Sequence, residues 1–172
     1  MVLTIDEENA GDINQGSKVV WKEKNGSNLQ LWRSFKTFLI SDDPNAKTNN
    51  RHKSISFESA GKSEMVLAYE GIGNGTDLRL VIEKKEPKNS QAWKFKAPCA
   101  ADDHWGMTPY LHLSNVLLIN SQKAEIKESH VPTFGNYNQT KGNDISSLLI
   151  KFENGEPNQK QIKTVKHNIV AG

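Results

Sequence analysis

Five histidines, His52, His104, His112, His130 and His167, are the first residues to weigh for acid–base or metal chemistry, and they stand far apart in a 172-residue chain. The densest chemical cluster is Asp102-Asp103-His104-Trp105. Neighbours on a strand point to opposite faces, so that run cannot converge on one proton or one cation if it is extended. In a loop it is solvated. His112 lies between Leu111 and Leu113 and reads as the outward side of a strand. Cys99 is the sole cysteine, which rules out an internal disulfide and a multi-cysteine zinc site within the chain. It reads as a small, half-buried apolar residue. No G-x-S-x-G elbow, phosphate loop or H-E-x-x-H pair occurs. Gly71-Ile-Gly-Asn-Gly75 is followed by no helical pattern, so it reads as a turn and not a nucleotide cradle. The expectation is a protein without enzymatic activity and without a cofactor.

Composition narrows the partners. Twenty-two basic and 20 acidic residues are interspersed, for a net charge of +2. There is no Lys/Arg stripe of the kind that binds nucleic acid. No segment approaches the roughly 18–20 consecutive apolar residues of a membrane span, so no membrane insertion is expected. The first residues carry neither a basic region nor a long apolar one, so no signal peptide is visible. The chain reads as soluble, with its compartment open: cytoplasmic, or secreted as part of a larger or processed protein. Three glycosylation sequons, at Asn25, Asn74 and Asn138, are about what the Asn, Ser and Thr content gives by chance.

The elements that must position any site are short apolar runs bounded by turn residues. Val2–Ile5, Lys18–Trp21, Leu29–Trp32, Thr37–Ile40, Ser54–Phe57, Met65–Tyr69, Leu78–Ile82, Ala92–Phe95, Tyr110–Leu113, Val116–Ile119, Ala124–Ile126, Leu148–Phe152 and Gln161–Val165 all read as strands. No long window carries an apolar stripe of helical period. Asn25-Gly26, Asn74-Gly75 and Asn154-Gly155 mark hairpin turns. Ser41–Lys53 and Gly135–Asp144 read as long surface loops.

The chain also repeats itself. Gly16–Phe35 and Gly75–Phe95 both run Gly-Ser/Thr, apolar strand, polar turn, Gln-x-Trp, then a basic residue and an aromatic. Each follows an apolar run that ends in an acid, Asp6 or Glu70. Trp32 and Trp93 are 61 residues apart, and Phe152 falls 59 residues further on, about where a third tryptophan would stand. Three such units predict an all-β fold with pseudo-threefold repeats of roughly 50–60 residues. The chain reads as one domain, residues 1–172, with repeats of roughly 1–35 plus 160–172, 36–97 and 98–159. In this reading the C-terminal strand closes the first repeat, with Lys163–Ala171 matching the run from Lys53.

Gln30-Leu31-Trp32 and Gln91-Ala92-Trp93, each in phase with a strand-turn unit, resemble the Gln-x-Trp repeats of the ricin B-type lectins. Leu3-Thr4-Ile5-Asp6, the loop to Gly16, Val19-Val20-Trp21 and the Asn25–Asn28 turn fit the same pattern. That resemblance implies a β-trefoil and a non-catalytic carbohydrate-binding module with one shallow site in the first repeat. It assigns Asp6 to vicinal sugar hydroxyls, Trp21 to stacking on the apolar sugar face and Asn28 to the remaining polar contact. Carboxylates are strong bidentate acceptors, and aromatic rings cover sugar C–H groups with rigid apolar area. Gln30, Trp32 and Trp93 fall to structural roles. The second repeat has Glu70 for the acid and Leu80, Val81 and Ile82 for the aromatic; the third has Asn120 and no Gln-x-Trp. Glycans, of galactose type by the resemblance, are the expected partner. A single weak site would call for a homo-oligomer or a larger toxin or adhesin assembly. The alternative is a protein-binding trefoil, such as a protease inhibitor or a receptor-binding subunit, contacting its partner through Ser41–Lys53 or Gly135–Asp144. An exposed Trp21 beside Asp6 would favour the lectin, and a buried Trp21 the protein binder.

Overall fold

The computed structural model describes residues 1–40, 51–71, 78–96, 106–109, 115–118, 126–136, 150–153 and 166–171. Several positions singled out above lie outside them: 41–50 and 137–144 of the two long loops, Cys99, the Asp102–Trp105 cluster, Tyr110–Leu113 with His112, and Asn120. So do Asn74-Gly75, Asn138, Asn154-Gly155 and Gln161–Val165.

The described residues are all-β. Twelve short strands run in order: β1 (Val2–Ile5), β2 (Val19–Lys22), β3 (Trp32–Ile40), β4 (Arg51–Ser59), β5 (Met65–Glu70), β6 (Arg79–Lys84), β7 (Trp93–Lys96), β8 (Gly106–Pro109), β9 (Asn115–Leu118), β10 (Thr133–Asn136), β11 (Ile150–Glu153) and β12 (Lys166–Ala171). Their only helical turns are single 3-10 turns. Ten strands form one curled antiparallel sheet with the path β2-β1-β12-β3-β4-β5-β6; β11 branches from β12, and β7 and β8 from β4. The remaining two, β9 and β10, pair with each other.

Strand pairing is alike around β12 and β4. Antiparallel partners of β12 are β11, β1 and β3. Those of β4 are β3, β5 and β7. The matches extend to single residues: His167 stands opposite Trp32 as Ile55 stands opposite Trp93. The C-terminal strand thus lies against the first strand, with Val2 opposite Val170 and the Ala171 N–H donating to the Met1 carbonyl at 3.1 Å. This register shifts the sequence match by two residues: His167 corresponds to Ile55 and not to Phe57. A two-residue shift keeps every side chain on its own face, which is why pattern alone does not resolve it.

Two further differences follow from register. Ile150 stands opposite Ala171 as Trp93 stands opposite Pro109, so Ile150 and not Phe152 takes the position of the third tryptophan. Phe152, two residues on and on the same face, is buried and stacks on Phe57 at 6.1 Å. The segment Ser41–Lys53 is not loop throughout, because residues 51–53 belong to β4. The β3–β4 hairpin carries nine residue pairs.

One apolar cluster holds these strands together. It includes Leu3, Trp21, Trp32, Phe57, Leu67, Ile82, Trp93, Met107, Phe134 and Ile169. Both motif tryptophans have no exposed surface. Each buried indole contributes about 4–6 kcal/mol of gross hydrophobic driving force at ~25 cal/mol per Å².

Candidate functional site

The repeated Gln-x-Trp segments do the same physical work twice. Gln30 ends a 3-10 turn (Asn28–Gln30), is fully buried, and reaches back across the preceding turn. Its Nε2 donates to the Glu23 carbonyl at 2.7 Å, and its Oε1 accepts from the Asn25 N–H at 2.8 Å. Gln91 ends the matching 3-10 turn (Asn89–Gln91) and donates to the Lys84 carbonyl at 2.7 Å while accepting from the Glu86 N–H at 2.9 Å. Both backbone partners shift by 61 residues between the copies. The indole N–H of Trp32 donates to the Leu3 carbonyl, and that of Trp93 to the Leu67 carbonyl, each at 3.2 Å. The main-chain carbonyl of each glutamine is capped as well: Asn168 Nδ2 donates to that of Gln30 at 2.8 Å, and Ser56 Oγ to that of Gln91 at 2.7 Å. Buried amides need such complete satisfaction, since an orphaned one costs about 1–3 kcal/mol.

The second strands of the copies are tied to neighbouring turns in one way. Ile82 exchanges backbone hydrogen bonds with Gly16 and Ser17, at 2.7 and 3.0 Å. Trp21 exchanges them with Ser129 and His130, at 2.7 and 2.9 Å. Gly16 has φ +91° and Ser129 φ +67°, so both turns use a left-handed residue at the same point. Trp21 and Ile82 therefore share a register position.

That register decides the first repeat's predicted sugar residues. Asp6 follows β1, is exposed, and its carboxylate lies 3.0 Å from Lys22 Nζ. Asn28 is exposed at the start of its 3-10 turn. Trp21 has no exposed surface, and its indole Nε1 has no hydrogen-bond partner. Its ring offers no face to a ligand, which corrects its assignment as a stacking platform. The physical reason is its place beside Leu3 on a strand pair that is buried on both faces. No hydrogen bond joins Asp6 to Asn28 among the described residues. The structure brings Asp6 together with Lys22, which the sequence reading did not single out. The available signal was phase: Lys22 follows Trp21 and so takes the other face of β2.

The loop after β1 is fastened from several sides. Ser17 Oγ donates to Glu7 at 2.8 Å and accepts from the Asn14 N–H at 3.0 Å, and Lys62 Nζ donates to the Ile13 carbonyl at 2.6 Å. In the second copy Glu70 pairs with Arg79 across β5 and β6, and Leu80, Val81 and Ile82 are buried. That copy presents no aromatic face there. A second polar feature joins the copies: Glu58, whose side chain is only 6% exposed, pairs with Arg33 at 3.1 Å and Lys85 at 3.4 Å. Lys85 also lies 4.4 Å over the Phe35 ring.

Among the described residues no three His, Cys, Asp or Glu side chains gather as a metal site. Nor is any helix there long and apolar enough to cross a membrane, which says nothing of strands. Compared with protein-family models, with curated proteins and with solved structures, the chain matches none.

Proposed function

We propose that the chain is a β-trefoil of the ricin B-like type that acts as a non-catalytic carbohydrate-binding module, with one shallow site around Asp6. The observation that carries the proposal is the doubled Gln-x-Trp brace, in which the glutamine amide and the indole N–H meet matching backbone groups in two copies. The like pairing around β12 and β4 supports the trefoil. At the site, the exposed Asp6 carboxylate accepts from one sugar hydroxyl while Lys22 donates to its neighbour. Asn28 supplies a further amide. With Trp21 inside the core, the site lacks its stacking surface. Affinity for a monosaccharide is therefore weak, and function depends on multivalent display.

A glycan array with the wild-type protein, Asp6→Ala and Lys22→Ala tests this. We expect a defined class, galactose-type first, to be bound, and Asp6→Ala to lower the signal about tenfold or more, the value of a charged hydrogen bond or two. Silence across the array from folded protein would sink the proposal.

A second reading has its own observation. Trp21 is buried, and the β3–β4 hairpin carries nine residue pairs. Both favour a protein-binding trefoil that contacts its partner through this hairpin. Shortening β3–β4 separates the two: partner capture is lost in the second reading, and glycan binding persists in the first.

A further inference from the structure

Asn25 and Gly26 form an exposed turn between β2 and β3. The Asn25 peptide N–H is held by Gln30 Oε1 at 2.8 Å, and its side-chain Oδ1 accepts from the Ser27 N–H at 2.9 Å. The ring closed by that second bond contains the Gly26 nitrogen, so the side chain is folded back over the Asn25–Gly26 peptide. Nothing lies within 4 Å of where a Gly26 Cβ would stand. The Gly26 N–H itself makes no hydrogen bond. The Asn25 amide is thus held against a turn whose Gly26 nitrogen has no partner and whose surroundings are open.

We infer that this turn is a self-modification site at which Asn25 deamidates. The Gly26 N–H gives its proton to water or hydroxide, and the nitrogen forms a bond to Asn25 Cγ. The Cγ–amide bond then breaks, the leaving nitrogen takes a proton from water, and ammonia departs. The resulting cyclic imide is opened by water at either carbonyl, to aspartate or to isoaspartate. No oxidant or reductant takes part. The Ser27 N–H already points at the oxygen on which negative charge develops during the attack, the arrangement that stabilises tetrahedral intermediates elsewhere.

The second copy gives an internal contrast. Sixty-one residues on, the same brace holds Glu86, and Pro87 follows. A carboxylate carries no amide to lose, and a proline nitrogen has no proton to give up. Of the two braced turns, only the first can change in this way. Conversion to aspartate adds a charge beside Lys24, which pairs with Glu153 at 2.6 Å. Conversion to isoaspartate lengthens the main chain at the point that Gln30 braces.

The test is to age the full folded chain in mildly alkaline, ammonia-free buffer, beside the same chain unfolded in guanidinium. Peptide mapping reads the amide-to-acid mass shift at residue 25, and isoaspartate is separated from aspartate by fragmentation. Asn25→Gln, whose ring closure would need six members, is the control for the site. We expect the folded chain to convert at residue 25 at least as fast as the unfolded one, with isoaspartate among the products and no conversion in Asn25→Gln. A folded chain that converts more slowly than the unfolded one overturns the inference, because the hydrogen bonds would then protect the amide and not poise it.

Discussion

Trp21 shows how one residue's surroundings set its role. Its neighbour Lys22 reaches Asp6, yet the indole itself packs in the core with an unpaired Nε1–H. Removing the ring leaves a large cavity, so Trp21→Ala is expected to cost about 3–5 kcal/mol in chemical denaturation. Trp21→Phe keeps most of the packing and deletes the buried orphan donor, so its cost is expected to be well under half of that. If Trp21→Ala changed stability by less than about 1 kcal/mol, the ring could not be in the core as described. The motif residues behave differently. Gln30, Trp32, Gln91 and Trp93 were legible from their doubled pattern, because the brace they form is local and recurs with the same spacing.

Short strands depend on the turns that feed them. Gly16 and Ser129 hold equivalent left-handed positions, and each donates a backbone N–H to the second strand of a neighbouring copy. Glycine takes this conformation freely, whereas serine does so at a cost of roughly 1 kcal/mol. Ser129→Gly is therefore expected to raise the unfolding free energy by about 0.5–1 kcal/mol, read from the denaturation midpoint at unchanged slope. A midpoint that fell would show that the Ser129 side chain holds the turn in a way its backbone angle hides. The existence of the strands was legible from short apolar runs, but their ends were not. Leu29 belongs to a 3-10 turn and Thr37–Ile40 to the end of a nine-residue strand. Residues 51–53 continue β4 although their composition is polar. In both strands cross-strand pairing carried the element past its local apolar run.

At the scale of the molecule, β12 is the strand on which closure rests. It pairs with β11 on one side, with β1 and β3 on the other, and sends Asn168 to the Gln30 carbonyl. A chain ended after residue 165 loses all of these together. It is expected to lose near-ultraviolet circular dichroism and cooperative unfolding, and adding the missing segment as a peptide is expected to restore part of the signal. Retention of a cooperative transition by the shortened chain would show that the first copy folds without its C-terminal partner.

The sequence by itself determined the all-β class, the recurrence of the Gln-x-Trp brace and the burial of its tryptophans, since these rest on apolar alternation and on motifs whose spacing is local. Only the tertiary structure decided the two-residue register of β12, the place of Ile150 in the third copy and the inward position of Trp21. The physical reason is shared. A strand's pattern has a period of two, so it fixes which residues share a face but neither which pair they join nor whether the second face is covered. Those follow from which strands meet, and β1, β3 and β12 meet across nearly the full length of the chain.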